Sequence, residues 1–339
     1  MLKMNITFFI GNGFDINIGL ATQYSKFYPY FIKNASDTNM IKAWIDGNEK
    51  LWSDLEEKLG QEISKIPEGE LDKFYDDKDE LDRLLIEYLE KEQEKYVFEN
   101  PELIKQEFSK SMLNFYGELS VEDVASIKKT MEVYKDEDFE YSYITFNYTN
   151  VLDRIVGLYD GKATVIATHH NRISQIVHIH GTTDEEMILG VNDVEQIGND
   201  LLKEEELFLD TFIKRRMNNS IGQRKTEKTI GIINKSHIVC IFGMSIGNTD
   251  KMWWEALIEW LVSSENNKLV IFWKGFEDAL KKKLPSKMVR LNESIKRKVF
   301  DKGRGKYDES YYQKIKNRMM ISYNSNIFSL PKIKDELSE

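Results

Sequence analysis

Two short segments carry the side chains of this 339-residue chain best suited to chemistry: Thr145-Phe146-Asn147-Tyr148-Thr149-Asn150 and His178-Ile179-His180-Gly181-Thr182. The amide of Asn147 can hold a ribose hydroxyl or a water. The same segment can also begin a helix, capped by Thr149 or Asn150, with Asn147 completing the turn. In the second segment, strand alternation places His178 and His180 on one side, and Gly181 frees the chain just beyond. His180 is therefore placed as a general base near neutral pH. Two histidines at this spacing can instead ligate zinc, but a third ligand would have to come from His169-His170 folding back. Catalysis ranks above metal binding.

Three glycine turns accompany these segments. Residues 6–15 read Ile-Thr-Phe-Phe-Ile-Gly-Asn-Gly-Phe-Asp, an apolar run breaking into Gly11-Asn12-Gly13, then Phe14 and Asp15. Closely spaced glycines after a strand let backbone approach a phosphate. The dinucleotide fingerprint is incomplete, because Ile16 stands where its third glycine belongs and no acidic residue follows about twenty positions on. A plain turn with Asp15 at a helix start competes with it. Ile188-Leu189-Gly190-Val191-Asn192-Asp193 is a second such break. The third, Ile241 to Asp250, repeats the opening logic with Gly243, Ser245 in the turn, and Thr249 or Asp250 placed to cap a Trp-rich helix. Gly243-Met244-Ser245-Ile246-Gly247 matches a nucleophile elbow. That architecture needs an acid and then a histidine downstream, and every histidine precedes Ser245. A phosphate or ribose turn is the better reading.

The elements that must position these residues follow from hydrophobic patterning. Strand-like runs occur at 5–10, 141–146, 164–167, 176–179, 187–189, 237–242 and 268–273, several apolar throughout, as in parallel strands covered on both faces. Helical periodicity separates them; Trp253-Trp254, Leu257, Trp260 and Leu261 mark one buried helix face. The class expected is α/β, a doubly wound, mostly parallel Rossmann-like sheet. Residues 1–23 and 138–331 form its nucleotide-binding core. Residues 24–137 form a large helical insertion, with Leu81–Tyr96 amphipathic, and 332–339 a flexible tail. A second helical stretch runs from Glu195 to Ile233.

Composition narrows the class. Fifty-seven acidic against 47 basic side chains give a net charge of −10, so no whole-chain footprint for nucleic acid exists. The basic stretch Lys274–Arg304, with Lys281-Lys282-Lys283, reads as a solvated helix face. A single cysteine, Cys240, set among Ile238, Val239, Ile241 and Phe242, rules out disulfides and cysteine-based zinc sites. With no leader-like start and no apolar run long enough to span a bilayer, a soluble, cytoplasmic protein is expected.

Taken together and in this order, the motifs resemble the AbiH family of bacterial abortive-infection proteins. The resemblance rests on Gly11-Asn12-Gly13-Phe14-Asp15, Gly19-Leu20, Thr22-x-Tyr24-x-x-Phe27, Trp52-x-Asp54-Leu55-Glu56, Phe146-Asn147-Tyr148-Thr149, His178-Ile179-His180-Gly181, Gly190, and Gly243-x-Ser245 with Asp250. Ala21 departs from it, standing where the family often has proline. The ordering is also similar, more distantly, to sirtuin-like NAD-binding domains of anti-phage defence. These resemblances imply an abortive-infection effector that binds NAD and hydrolyses its nicotinamide–ribose bond. Asn147 and His180 would be catalytic, and Asp15 would stabilise positive charge or cap a helix. Gly11, Asn12, Gly13, Phe14, Gly243, Ser245 and Asp250 would line the nucleotide. Deacylating sirtuins carry a four-cysteine zinc module that one cysteine cannot build, and no metal is expected. Trp52, Asp54 and Glu56 would belong to a lid or a surface sensing a phage-derived trigger or partner defence protein, Trp52 being equally suited to the insertion core. A homo-oligomer is compatible with this reading, a membrane or nucleic-acid partner is not expected. Two other readings stand: a metal-dependent nuclease or phosphoryl-transfer toxin using Asp15, Asp193 and Asp250, and a non-enzymatic nucleotide-responsive module.

Overall fold

The computed structural model describes residues 3–159, 164–166, 169–247, 250–275 and 284–333. Expectations resting on Ala167, Thr249, Lys281-Lys282-Lys283, the side chains of His169 and His170, and the tail beyond Ile333 lie outside the described residues.

Seven strands make one sheet: β1 (Lys3–Ile10), β2 (Asp138–Thr145), β3 (Thr164–Ile166), β4 (His169–His178), β5 (Ile238–Phe242), β6 (Lys268–Trp273) and β7 (Met319–Tyr323). Their spatial order is β3-β4-β2-β1-β5-β6-β7. Every neighbouring pair is parallel except β3, which runs antiparallel to β4. The chain builds from β1 through β2 and β4 on one side, then crosses to the other side of β1 for β5, β6 and β7. Strand order therefore reverses between β1 and β5, and a doubly wound sheet opens a crevice at the carboxyl ends of those two strands.

The alternating pleat sends successive side chains of each strand into two cores. Met4, Ile6, Phe8 and Ile10 of β1 join Tyr141, Tyr143, Cys240 and Phe242 in the first. That face is covered by α1 (Gly13–Asn17), α6 (Pro101–Leu113), α7 (Val121–Glu132) and α8 (Val151–Val156), through Phe14, Phe108, Met112, Ile127 and Ile155. Phe9, Ile144, Val239, Ile241 and Ile271 face the second core. There they meet α11 (Lys225–Lys235), α12 (Lys251–Ser263), α13 (Pro285–Gly303) and α14 (Glu309–Ile315). Trp253, Trp254 and Trp260 of α12 are buried in it, as their helical spacing requires.

A third core lies above the crevice. It gathers α2 (Tyr24–Asn34), α3 (Met40–Ile45), α4 (Leu55–Glu62) and α5 (Leu71–Glu94), together with Leu189, Val191, Ile197 and residues of α9 (Glu206–Phe212). The 24–137 segment thus divides: α2–α5 build this cap with residues from 189–213, while α6 and α7 serve the sheet. α10 (Lys214–Ser220) follows α9 directly.

Two strand expectations are corrected. Residues 187–189 are not a strand, because Leu189 and Val191 are drawn into the cap core, where Val191 forms only a single bridge to Ile213. β7 has no counterpart among the expected strands, since Met319-Met320-Ile321-Ser322-Tyr323 lacks the β-branched density of the others. At the carboxyl end of the chain, Ile333 donates its N–H to Ile18 O at 3.0 Å.

Candidate functional site

The turns after β1 and β5 meet at the crevice by direct backbone contact. Gly11 N–H donates to Phe242 O at 2.9 Å, and Gly13 N–H to Gly243 O at 2.8 Å. A Cβ on Gly13 would lie 2.5 Å from Gly243 Cα, and Gly243 itself has φ +70°. Glycine is therefore demanded here by the closeness of the two loops. Gly11, Asn12, Gly13, Gly243, Ser245 and Asp250 all line the resulting cleft, of about 690 Å³, with Lys274 and Lys298 also on its wall. Phe14 is placed otherwise than expected: it is fully buried and packs on Phe328 with ring centroids 5.6 Å apart. The side chain of Asn12 exchanges hydrogen bonds with Thr22, tying the first turn to the neck of the cap.

Asp15 and Asn147 share a second cavity of about 100 Å³, lined also by Asn12, Thr22, Tyr24, Leu85, Phe146, Tyr148 and Thr149. Asn12 and Phe146 line both cavities. Asp15 is 1 % exposed, and its Oδ2 accepts from Thr149 Oγ1 at 2.7 Å. Burial pushes its carboxyl up to about 6, against the hydrogen bond from Thr149 and the neighbouring Asn147 amide, which pull it down. Asp15 Oδ1 and Asn147 Oδ1 are both buried without a hydrogen-bond partner. Two acceptors left bare in one cavity ask for a donor. The helix-cap reading holds in position only, since Asn150 is the N-cap residue of α8 but its side chain does not cap the helix. Thr149 is turned to Asp15, and Asn150 makes no side-chain cap but donates to Asp184.

His178 and His180 are not equivalent. Nδ1 of His178 sits 3.2 Å from Asn147 O, and Nε2 sits 2.7 Å from Asp153 Oδ2, so both ring nitrogens are engaged and the ring props the Asn147 turn. His180 lies past the end of β4, 5 % exposed, in edge contact with Phe146 and tilted against Tyr148 at ring-centroid distances of 5.8 and 6.3 Å. It lines a separate cavity of about 20 Å³ with Asn192, Lys214 and Asn218. Burial, then the charges of Lys214 and Lys225, hold its imidazole well below its usual range, so it is neutral at physiological pH.

Sequence reasoning missed Lys214 and gave Glu56 only a place on a lid. Both are buried, and they form an ion pair. Glu56 Oε1 also accepts from Tyr148 OH at 2.9 Å. The residue next to Asn147 is thereby held by a carboxylate from the cap. Glu56 stands in the first turn of α4, whose N-cap is Asp54, and Trp52 is core, 1 % exposed. Asp250 occupies the N-cap position of α12 without a side-chain cap bond, and burial pushes it up to about 7 despite Lys214. The only forward signal for Lys214 was the Lys-Arg-Arg run 214–216, which reads as solvated.

The three carboxylates of the nuclease alternative stay apart. Asp193 is exposed and closes a capping box at Val194–Gln196. Among the described residues no group of three or more His, Cys, Asp or Glu is arranged to hold a metal ion, and no helix is long and apolar enough to cross a membrane. In comparisons with known proteins, a family model described as Bacteriophage abortive infection AbiH matches residues 7–273. No curated protein matches the chain.

Proposed function

Because the chain belongs to the AbiH family of bacteriophage abortive infection proteins, we propose that its crevice binds NAD and that Asp15 and Asn147 hydrolyse the nicotinamide–ribose bond. The observation that carries this reading is the pair of adjacent cavities with a common wall. A cleft of nucleotide size at the β1/β5 reversal shares Asn12 and Phe146 as wall residues with a smaller cavity that holds a buried carboxyl–amide pair with two unpartnered acceptor atoms.

In this reading the diphosphate lies toward Lys274 and Lys298, and the nicotinamide ribose reaches the inner cavity. The C1′–N bond breaks with its electron pair passing to the pyridinium nitrogen, which leaves neutral nicotinamide. Asp15, ionised above about pH 6, faces the oxocarbenium-like carbon and takes the proton of the water that attacks it. Asn147 orients that water or a ribose hydroxyl. His180, one aromatic layer behind, supports the site as a neutral imidazole. Loss of NAD would starve an infected cell, which suits an abortive outcome.

The test follows nicotinamide and ADP-ribose released from NAD by the purified protein, with and without lysate of phage-infected cells, for the native chain and for Asp15→Asn, Asn147→Ala and His180→Ala. The first two substitutions are expected to abolish release and phage protection together. Release unchanged by both, or protection that persists while cellular NAD stays constant, overturns the reading.

A further inference from the structure

The cavity behind His180 brings together three polar atoms from three separate stretches of chain. His180 Nδ1, Asn218 Oδ1 and Asn192 Nδ2 are each buried without a hydrogen-bond partner, and all three residues line the same space. His180 and Asn218 are 5 % and 3 % exposed. The amide of Asn218 is oriented by its other end, where Nδ2 donates to Ile179 O at 3.5 Å. The loop carrying Asn192 is fixed by its backbone N–H, which donates to Gln196 Oε1 at 2.8 Å. Leaving three such atoms unmatched in a buried space is costly, because each has given up its water and gained nothing in return.

The space measures about 20 Å³. One water needs about 10–15 Å³ and two to four polar partners, so the space and its three orphaned atoms suit a single molecule. No carboxylate lines the space, and Lys214 does, which disfavours a cation. Hydrogen-bond arithmetic among the three orphaned atoms then favours one arrangement. Asn192 Nδ2 can only donate and Asn218 Oδ1 can only accept, so a water accepts from the first and donates one hydrogen to the second. Among the three orphaned atoms only His180 Nδ1 is left for its other hydrogen; with Nδ1 protonated the water would accept twice and that hydrogen would go unmatched among them.

We propose that this cavity seats a single ordered water that accepts from Asn192 Nδ2 and donates to Asn218 Oδ1 and His180 Nδ1, locking His180 as the Nε2–H tautomer. His180 thereby presents a proton on its free edge instead of a lone pair, and Asn218 and Asn192 are positioning residues acting through the water. The sequence spacing suggested a base at His180; the bonding around its ring makes it a hydrogen-bond donor. This assignment goes beyond the proposed NAD hydrolysis and does not depend on it.

Long-range proton–nitrogen correlation spectra of the full-length protein, labelled with ¹⁵N-histidine, read the tautomer directly. Only five histidines must be resolved, and His180→Gln identifies the signal. An unprotonated Nδ1 and protonated Nε2 are expected near pH 7. Asn218→Leu and, independently, Asn192→Leu should each collapse that pattern to a tautomer mixture, and a high-resolution crystal structure should place one water between the three atoms. A protonated Nδ1 in the native protein overturns the proposal, as does a tautomer unmoved in every variant that folds. Both results are read without NAD, so they stand apart from any failure of hydrolysis.

Discussion

At Asp15, burial and chemistry pull against each other. Its carboxyl titrates near 6 where the ordinary value is 3.8, chiefly because the charged form is desolvated. The folded value lies above the unfolded one, so stability is fully present below about pH 4 and is lost as pH rises through 6. Asp15→Asn removes a buried charge while keeping an acceptor for Thr149. It should therefore raise the unfolding free energy near pH 8 by on the order of 2–3 kcal/mol and leave it unchanged near pH 4, while ending the proposed NAD cleavage. Denaturant titrations at the two pH values check the sign. If Asp15 accepts the proton, the pH–rate profile of the native protein should have its acid limb near 6. Asp15 and Asn147 were legible in the sequence because each stands within five residues of a strand end, where local pattern suffices. Lys214 was not, because its role depends on Glu56, 158 residues away.

At the scale of elements, the glycine turns and the end of α5 do the positioning. The apolar runs of β1, β2, β5 and β6 were readable because parallel strands are buried on both faces. What Gly11 and Gly13 approach was not readable, since their neighbour is another turn 230 residues on. Gly13→Ala should destabilise by about 1–3 kcal/mol or more, because its Cβ would meet the backbone of Gly243, which cannot give way. Gly231→Ala, in the middle of α11 with open space beside it, should instead stabilise by about 0.5–1 kcal/mol. Thermal melts of the two variants separate close approach from helix propensity. A second device joins the loops bearing Asn147 and His180. Gln93 at the end of α5 accepts from Asn150 N–H at 3.0 Å and donates to Thr183 Oγ1 at 3.1 Å. Gln93→Leu strands a backbone N–H, so a loss of about 1–3 kcal/mol is expected. Hydrogen exchange of Asn150 should accelerate, with that of the β5 amides unchanged.

For the whole molecule, the question is whether the cap and the sheet unfold as one body. Their cores are distinct, and the insertion's helices are split between them, which no pattern within 24–137 could announce because amphipathic helices look alike whichever surface they cover. The buried Glu56–Lys214 pair, with Tyr148 OH on the same carboxylate, binds α4, α10 and the loop after β2. Burial raises Glu56 while Lys214 lowers it, so the pair survives through mutual compensation. Removing one partner leaves a charge without relief, and Glu56→Gln or Lys214→Met alone should each cost about 3–5 kcal/mol. The double variant Glu56→Gln/Lys214→Met buries no charge and should be far less damaged than the sum of the single changes, a coupling that a double-mutant cycle reads directly. If that variant unfolds in one transition but lacks the proposed NAD cleavage, the pair serves to aim Tyr148 and Asn147. If it unfolds in two, the pair is what makes cap and sheet a single cooperative unit. Additive single effects would sink both, and would mean that the cap is held to the sheet by its apolar contacts alone.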